Sequence, residues 1–460
     1  MLCRKDRRKL ILIVTTLALI CGVVTLSADI RGLWVMAWDL KTPEQIDRMV
    51  EFALANNITQ IFAHTRYRAD ALYTPNRIFD TYENPEPRSY ILNDDLFDPL
   101  AYLIDTAARS NIEIHAWVTV FVVTPKTLDY LSPQHLYYTR EEWITEDFRG
   151  YRMPYDSYEG AYLDPGIPAV HDYLINVFLD IATNYQIAGI QLDYIRYPDS
   201  QYGYNPLAVE CYRQSGYEAN DFHRWKSDQI SRFVRRFYAE IKYQNPDLLV
   251  SAAVISNLER AERKYYQNWT DWLDEGIIDY AYLMSYSISD DIVQNELHKV
   301  KKWRDRVIVG LRTWTEDHRP YSPDLVSSKI SLSNQLGFPG IALFSYSGVK
   351  MNNNHQLRST LAGKSSGAVS RPNNFIFGYV TDHDNTPLQG IPVFLNGNSD
   401  IIYTDPNGFF FFSNLKPGNY TLKSEKGIRV LFSSTISIAD NPGVQAFKYD
   451  LHFTPEDVIE

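Results

Sequence analysis

The chain has 460 residues, 45% of them hydrophobic and 22% charged, a folded globular composition too long for one ordinary domain. Its formal net charge is −11, with no long basic run beyond the first nine residues. That excludes nucleic acid as the main partner, because phosphate binding needs clustered Lys and Arg.

The first element is an export leader. Arg4, Lys5, Arg7, Arg8 and Lys9 form a basic start, an apolar run follows over 10–26, and the small residues Ser27 and Ala28 precede Asp29. The pattern predicts cleavage, export and an extracytoplasmic location. An uncleaved membrane anchor over 1–28 is the second reading, and lipidation at Cys21 the third. Cys3 and Cys21 lie in this leader, so the mature chain keeps Cys211 alone and forms no internal disulfide. Cys211 reads as structural. No Cys/His cluster suggests zinc, and no metal or cofactor is expected.

Strand-like and helix-like segments then alternate. A strand over 33–38 precedes a helix over 43–56, with Thr42 as N-cap and Pro43 at the first helical position. A strand at 60–65 and a helix at 96–110 come next. Then follow a strand at 113–120, a helix at 168–185 and a strand ending at Asp193. The long helix 220–243 closes at Asn245-Pro246 and leads to strand 248–254. Helix 269–275, strand 278–285, helix 291–303, strand 307–311, helix 325–336 and strand 341–345 complete the series. Eight strands with helices between them predict an α/β fold, a (β/α)8 barrel over 29–356. Long loops at 66–94, 121–167 and 194–219 stand on its mouth side. A Ser/Gly/Lys/Arg/Pro-rich linker spans 357–374. Short strands at 375–381, 391–395, 409–412 and 420–424, separated by turns such as Asp405-Pro406-Asn407-Gly408, predict an all-β sandwich over 375–460.

The stretch Gly189-Ile190-Gln191-Leu192-Asp193 alternates apolar and polar residues. Asp193 therefore ends a strand at the barrel mouth, where such barrels do their chemistry. A carboxylate there is a nucleophile, a general base or an ion partner of Arg196. A second carboxylate is needed for glycoside hydrolysis. Glu259, just past the fifth strand, is a candidate acid, or else a solvated loop residue. Asp164, before the third helix, is either catalytic or a helix cap. Asp39, Asp70, Glu316 and Asp317 are further mouth-side carboxylates. The chain also holds 33 tyrosines and 9 tryptophans, whose flat faces and polar tips suit sugars as well as a core. Strand parity sets His64, Trp117, Tyr286 and Tyr346 each on one face of its strand, Trp38 ends the first strand, and Arg312 and Trp314 follow the seventh, as Arg196 and Tyr197 follow the fourth. Together they form a candidate glycan-binding lining. His64 and His115 read as hydrogen-bonded interior histidines.

These segments resemble a known family, the glycosyl-hydrolase-like family 10, over roughly residues 29–350. The resemblance rests on Arg31-Gly32-Leu33-Trp34, Ala71-Leu72-Tyr73-Thr74-Pro75, Tyr162-Leu163-Asp164-Pro165-Gly166, the run Gly189–Pro198, Trp269 to Gly276, Ile278-Asp279-Tyr280 and Met284-Ser285-Tyr286. It implies a (β/α)8 barrel and glycosidase activity on an envelope or extracellular glycan, including peptidoglycan strands stripped of peptide. It places Asp193 where related barrels carry a catalytic carboxylate. The C-terminal segment resembles a carboxypeptidase-regulatory-like, transthyretin-type sandwich, through Gly378-Tyr379-Val380-Thr381-Asp382, Thr404-Asp405-Pro406-Asn407-Gly408-Phe409 and Leu415-Lys416-Pro417-Gly418-Asn419-Tyr420. The leading expectation is an exported glycoside hydrolase, with a glycan as its partner and an open oligomeric state. The rivals are a non-catalytic glycan-binding scaffold on an inactive barrel and, more remotely, a metal-dependent hydrolase.

Overall fold

The computed structural model describes residues 30–94, 96–313, 323–351, 373–396, 400–426, 429–441 and 443–454. The leader, nearly all of the linker, Trp314, Glu316 and Asp317 lie outside them. Eight parallel strands form the barrel: Ile30–Val35, Gln60–Tyr67, Glu113–Thr119, Gly189–Asp193, Leu249–Ile255, Tyr280–Met284, Val307–Arg312 and Gly340–Phe344. Each pairs with the next, and the first also pairs with the eighth, which closes the cylinder.

Strand alternation sorts the side chains into two cores. Inside the cylinder sit Trp34, Phe62, Trp117, Tyr282, Ile308 and Ala342. Their odd-numbered neighbours on the first two strands, Leu33, Val35, Ile61 and Ala63, pack outward against the helices. The interior is aromatic, and several of its polar tips are paired, as low-dielectric burial favours. Trp34 Nε1 donates to Gln191 Oε1. The Tyr282 hydroxyl donates to Gln60 Oε1 at 2.6 Å, and Gln60 Nε2 to Glu113 Oε2 at 2.8 Å.

Most helices begin where their caps predict. Thr42 Oγ1 accepts from the Gln45 amide at the start of Pro43–Ala55. Helices Pro206–Gln214 and Leu258–Tyr265 are additions to the expected series, in the fourth and fifth mouth-side loops. The second strand carries a register shift between His64 and Arg66. One extra residue there turns Arg66 away from the interior. Its guanidinium is fully buried and bonds Glu86 and the Thr119 and Val120 carbonyls.

The C-terminal part is a sandwich of two sheets. One joins Phe409–Phe412, Phe375–Asp382, Ala446–Lys448 and Leu451–Phe453; the other joins Asp400–Tyr403, Pro392–Leu395, Gly418–Lys426 and Arg429–Ile438. The first sheet is apolar on both faces. Ile376, Val380, Phe410 and Phe412 fill the sandwich, whereas Phe375, Phe377, Phe409 and Phe411 join the barrel's outer core. They meet helix Phe222–Gln244, where Tyr238 and Tyr243 contact Phe375 and Phe377 with centroids 5.7 Å apart. Beside them Arg236 Nε donates to the Tyr379 hydroxyl at 3.0 Å, and that hydroxyl donates to Glu240 Oε1 at 2.6 Å. Tyr379→Phe strips both charged groups of this partner, and a loss of about 1.5–3 kcal/mol is expected. A lowered urea midpoint for separating the sandwich from the barrel checks it; an unchanged midpoint refutes it.

Candidate active site

Asp193 ends the fourth barrel strand, two residues past the interior Gln191, so parity aims its carboxylate into the mouth. The register sets Trp117 beside Gln191 and Thr119 beside Asp193. Trp117 Nε1 donates to Asp193 Oδ2 at 3.0 Å, and the Tyr194 amide to Oδ1 at 2.7 Å. Tyr194 takes a left-handed φ of 52° as the chain curls over the carboxylate, a strained conformation of the kind that collects at functional sites. Burial pushes the Asp193 carboxyl up to about 6, helped by the negative charge of Glu159; the Tyr194 amide, Arg196 and Trp117 hold it from rising further.

Aromatic rings run from this carboxylate to the rim. His64 stacks on Trp117 with centroids 3.9 Å apart. Tyr67 meets His64 edge-on at 5.1 Å, and Trp38 meets Tyr67 at 5.2 Å. Trp38 sits on the turn Ala37–Asp39 and is 43% exposed. Burial, with Arg68 nearby, pushes His64 down to about 3, so it is a neutral imidazole. Neither ring nitrogen has a protein partner, unlike the hydrogen-bonded histidine expected from sequence. On the other flank Tyr286 stacks on Phe344 at 5.4 Å, within electrostatic reach of Asp193 and Arg312.

Glu159 is the mouth residue that sequence reasoning missed. Its Oε1 accepts from Arg196 Nη2 at 3.2 Å and its Oε2 from the Tyr162 hydroxyl at 3.1 Å. The Arg196 guanidinium lies against the rings of Tyr265, Tyr194 and Tyr162, at 4.7, 5.1 and 5.9 Å. It therefore serves Glu159 directly and Asp193 only through space. The available signal was Gly160, whose φ of 136° few residues other than glycine adopt.

Four sequence-based assignments are corrected. Glu259 is the first-turn residue of helix Leu258–Tyr265; it is 74% exposed and pairs with Arg263 at 3.5 Å. Asparagine capping by Asn257 starts that helix and turns Glu259 to solvent. Asp164 is fully buried and ties loops together, accepting from Thr145 Oγ1, the Gly166 amide and the Asn205 amide. It does not cap the third helix, whose N-cap is Ile167. Tyr197 is fully buried against Tyr266, beyond a substrate's reach. Tyr346 is 7% exposed and packs on Phe52 behind the barrel, because the eighth strand ends at Phe344 and a helix starts at Tyr346. Trp314 lies outside the described residues. Of the remaining assignments, Asp193, Tyr286, Arg312 and Trp38 stand partly exposed at or just past the mouth-side ends of their strands, whereas Arg196, His64 and Trp117 are buried beneath the mouth and back it rather than face a substrate. Asp39 is held by Lys350 and Ser347, and Asp70 is buried in a short strand paired to the second. Among the described residues no three His, Cys, Asp or Glu side chains converge as metal ligands.

The profile of the family described as Glycosyl hydrolase-like 10 matches residues 29–313. Glycosyl hydrolase YngK of Bacillus subtilis (strain 168) is 25% identical over 202 residues, which cover 40% of this chain and 38% of that protein. Glycosyl hydrolase DigH of Escherichia coli (strain K12) is 25% identical over 249 residues, covering 47% of this chain and 54% of that protein. The chain thus spans about half or less of the length of these relatives. Among solved structures, the PgaB (BpsB) glycoside hydrolase domain from Bordetella bronchiseptica superposes with a TM-score of 0.58 at 16% identity, over 74% of this chain and 100% of that one. Alpha-L-fucosidase isoenzyme 2 from Paenibacillus thiaminolyticus gives 0.52 at 12% identity, over 73% and 48%. At such identities the two superpositions bear on the fold alone, a (β/α)8 barrel.

Proposed function

The chain belongs to the glycosyl hydrolase-like 10 family, and on that premise we propose that it hydrolyses O-glycosyl bonds, with Asp193 as the acid–base group of the mouth. The observation that carries this reading is a desolvated carboxylate at a barrel mouth, titrating near 6 and fixed by Trp117 and the Tyr194 amide. A carboxyl whose pKa lies near working pH gives and takes protons efficiently. Trp38, exposed at the rim and backed by the buried rings of Tyr67, His64 and Trp117, supplies a face on which pyranose C–H groups stack. Tyr286 and Arg312, half-buried at or just past the ends of the sixth and seventh strands, supply polar groups for hydroxyls or acidic substituents.

The basic and apolar leader supports export, and with it an envelope or extracellular glycan as substrate. Peptidoglycan strands freed of peptide are the first candidate. The test is a digest of denuded peptidoglycan and a polysaccharide panel by the purified protein, read by mass, with Asp193→Asn as control. Products from the native chain alone are expected. Equal products from the variant would remove Asp193 from the mechanism. Binding without any cleavage would favour the scaffold reading.

A second outcome concerns the rim. Trp38→Ala removes the outermost exposed ring of the series and is expected to raise KM about five- to tenfold with kcat little changed, from a lost stacking contact of about 1–1.5 kcal/mol. Steady-state kinetics on the cleaved glycan checks the split; a fall in kcat at constant KM would contradict it.

A further inference from the structure

We propose that Glu159 is the second reacting carboxylate of the mouth, the base that takes a proton from an attacking water while Asp193 protonates the leaving glycosidic oxygen. The inference rests on reading the barrel as a glycoside hydrolase. It starts from the loop that delivers Glu159. Tyr158 has a φ of 49° and Gly160 one of 136°, and a Cβ on residue 160 would fall 1.9 Å from the Thr124 carbonyl oxygen. The backbone is therefore confined on both sides of Glu159. Both of its oxygens are then bonded, one to Arg196 and one to Tyr162.

Arg196 ties this group to the other carboxylate. Its guanidinium lies on the Tyr194 ring, and the Tyr194 amide holds Asp193. Glu159 and Asp193 thus stand at the two ends of a short Arg196–Tyr194 bridge, close enough for the charge of one to act on the other. Their surroundings differ. Asp193 is desolvated beside aromatic rings. The Glu159 side chain is 38% exposed and ion-paired to a guanidinium that never loses its charge. Solvent reaches the Glu159 carboxylate, which suits it to activating water. Among the described residues, Asp164 is committed to loop amides, Asp39 to Lys350 and Glu259 to solvent, and Asp70 is buried in its short strand.

In the step, the bond from the anomeric carbon to the leaving oxygen breaks, its electron pair stays on that oxygen, and the Asp193 proton joins it. The water oxygen forms the new bond to the anomeric carbon and passes one proton to Glu159. Proton exchange with solvent then resets both groups. One water is consumed per bond cut, and the anomeric configuration inverts.

The test uses the full chain with E159Q and, as a second carboxylate-bearing variant, E159D. E159Q is expected to lower kcat/KM on the cleaved glycan about 10²- to 10⁴-fold, with E159D between it and the native chain. Product NMR is expected to show inversion. A fall of less than threefold in E159Q, or retained configuration, overturns the proposal. A readout without turnover separates its failure from failure of the glycosidase reading. In protein labelled with carboxyl-13C aspartate, with the Asp193 signal identified by its absence in D193N, E159Q is expected to move the Asp193 titration midpoint to lower pH. Lost turnover with an unmoved midpoint marks Glu159 as a mere tether for Arg196 and overturns it. A protein that cuts no glycan yet shows the shift sinks the hydrolase reading while keeping the coupled pair.

Discussion

Asp193→Asn is expected to lower kcat/KM on the cleaved glycan by about 10³- to 10⁴-fold with little change in KM. The amide keeps the shape and the contact with Trp117 but cannot donate a dissociable proton. The native enzyme should also show the titration of this group. As the acid, Asp193 works protonated, so kcat/KM falls on the alkaline side with a midpoint near 6 and about tenfold per pH unit beyond it. The same burial has a stability signature. The folded carboxyl titrates above its ordinary value, so the group favours the fold below the unfolded pKa and loses that contribution as pH rises through about 6. The variant should therefore melt higher than the native chain at pH 7–8 and equal to it below about pH 4. Scanning calorimetry at the two pH values checks the sign. A variant that melts lower at pH 8 would mean that the carboxylate is structural.

Glu86→Ala is expected to destabilise the protein by about 3–5 kcal/mol, because it leaves a buried guanidinium without its counter-charge. Arg66 is fully buried; its Nε donates to the two Glu86 oxygens at 2.8 and 2.9 Å and its Nη2 donates to Oε1 at 2.6 Å. The Tyr173 hydroxyl donates to the same carboxylate at 3.3 Å. The remaining Arg66 donors clamp the Thr119 and Val120 carbonyls, at the end of the strand that carries Trp117. Loss of the clamp should also loosen the bond from Trp117 to Asp193. Denaturant unfolding measures the first effect. A double variant, Arg66→Met with Glu86→Leu, should recover much of the stability, since no buried charge remains. If the single substitution costs under 1 kcal/mol, the pair is not the clamp described.

Asp193 was legible in sequence because alternation alone fixes its face and position. The barrel was legible for the same reason: eight short apolar runs with a capped helix after most of them leave few other folds. Parity stopped working where strands stopped. It misplaced Tyr346, where the eighth strand has ended and a helix begins. Glu259 was misread although Asn257-Leu258-Glu259-Arg260 carries a helix-start signature that turns the Glu outward. Glu159 was beyond parity altogether. Its place depends on a loop path set by Tyr158 and Gly160 and on Arg196, 37 residues further along the chain. Such contacts have no local period to read.

The strand Phe409–Phe412, with phenylalanine at all four positions, has a practical consequence. A chain cut at the linker would leave the flank of helix Phe222–Gln244 bare and greasy, where Tyr238 now lies buried against Phe375. The excised barrel should therefore clump in solution and be recovered poorly. Fragments chosen for production would have to carry the sandwich with them.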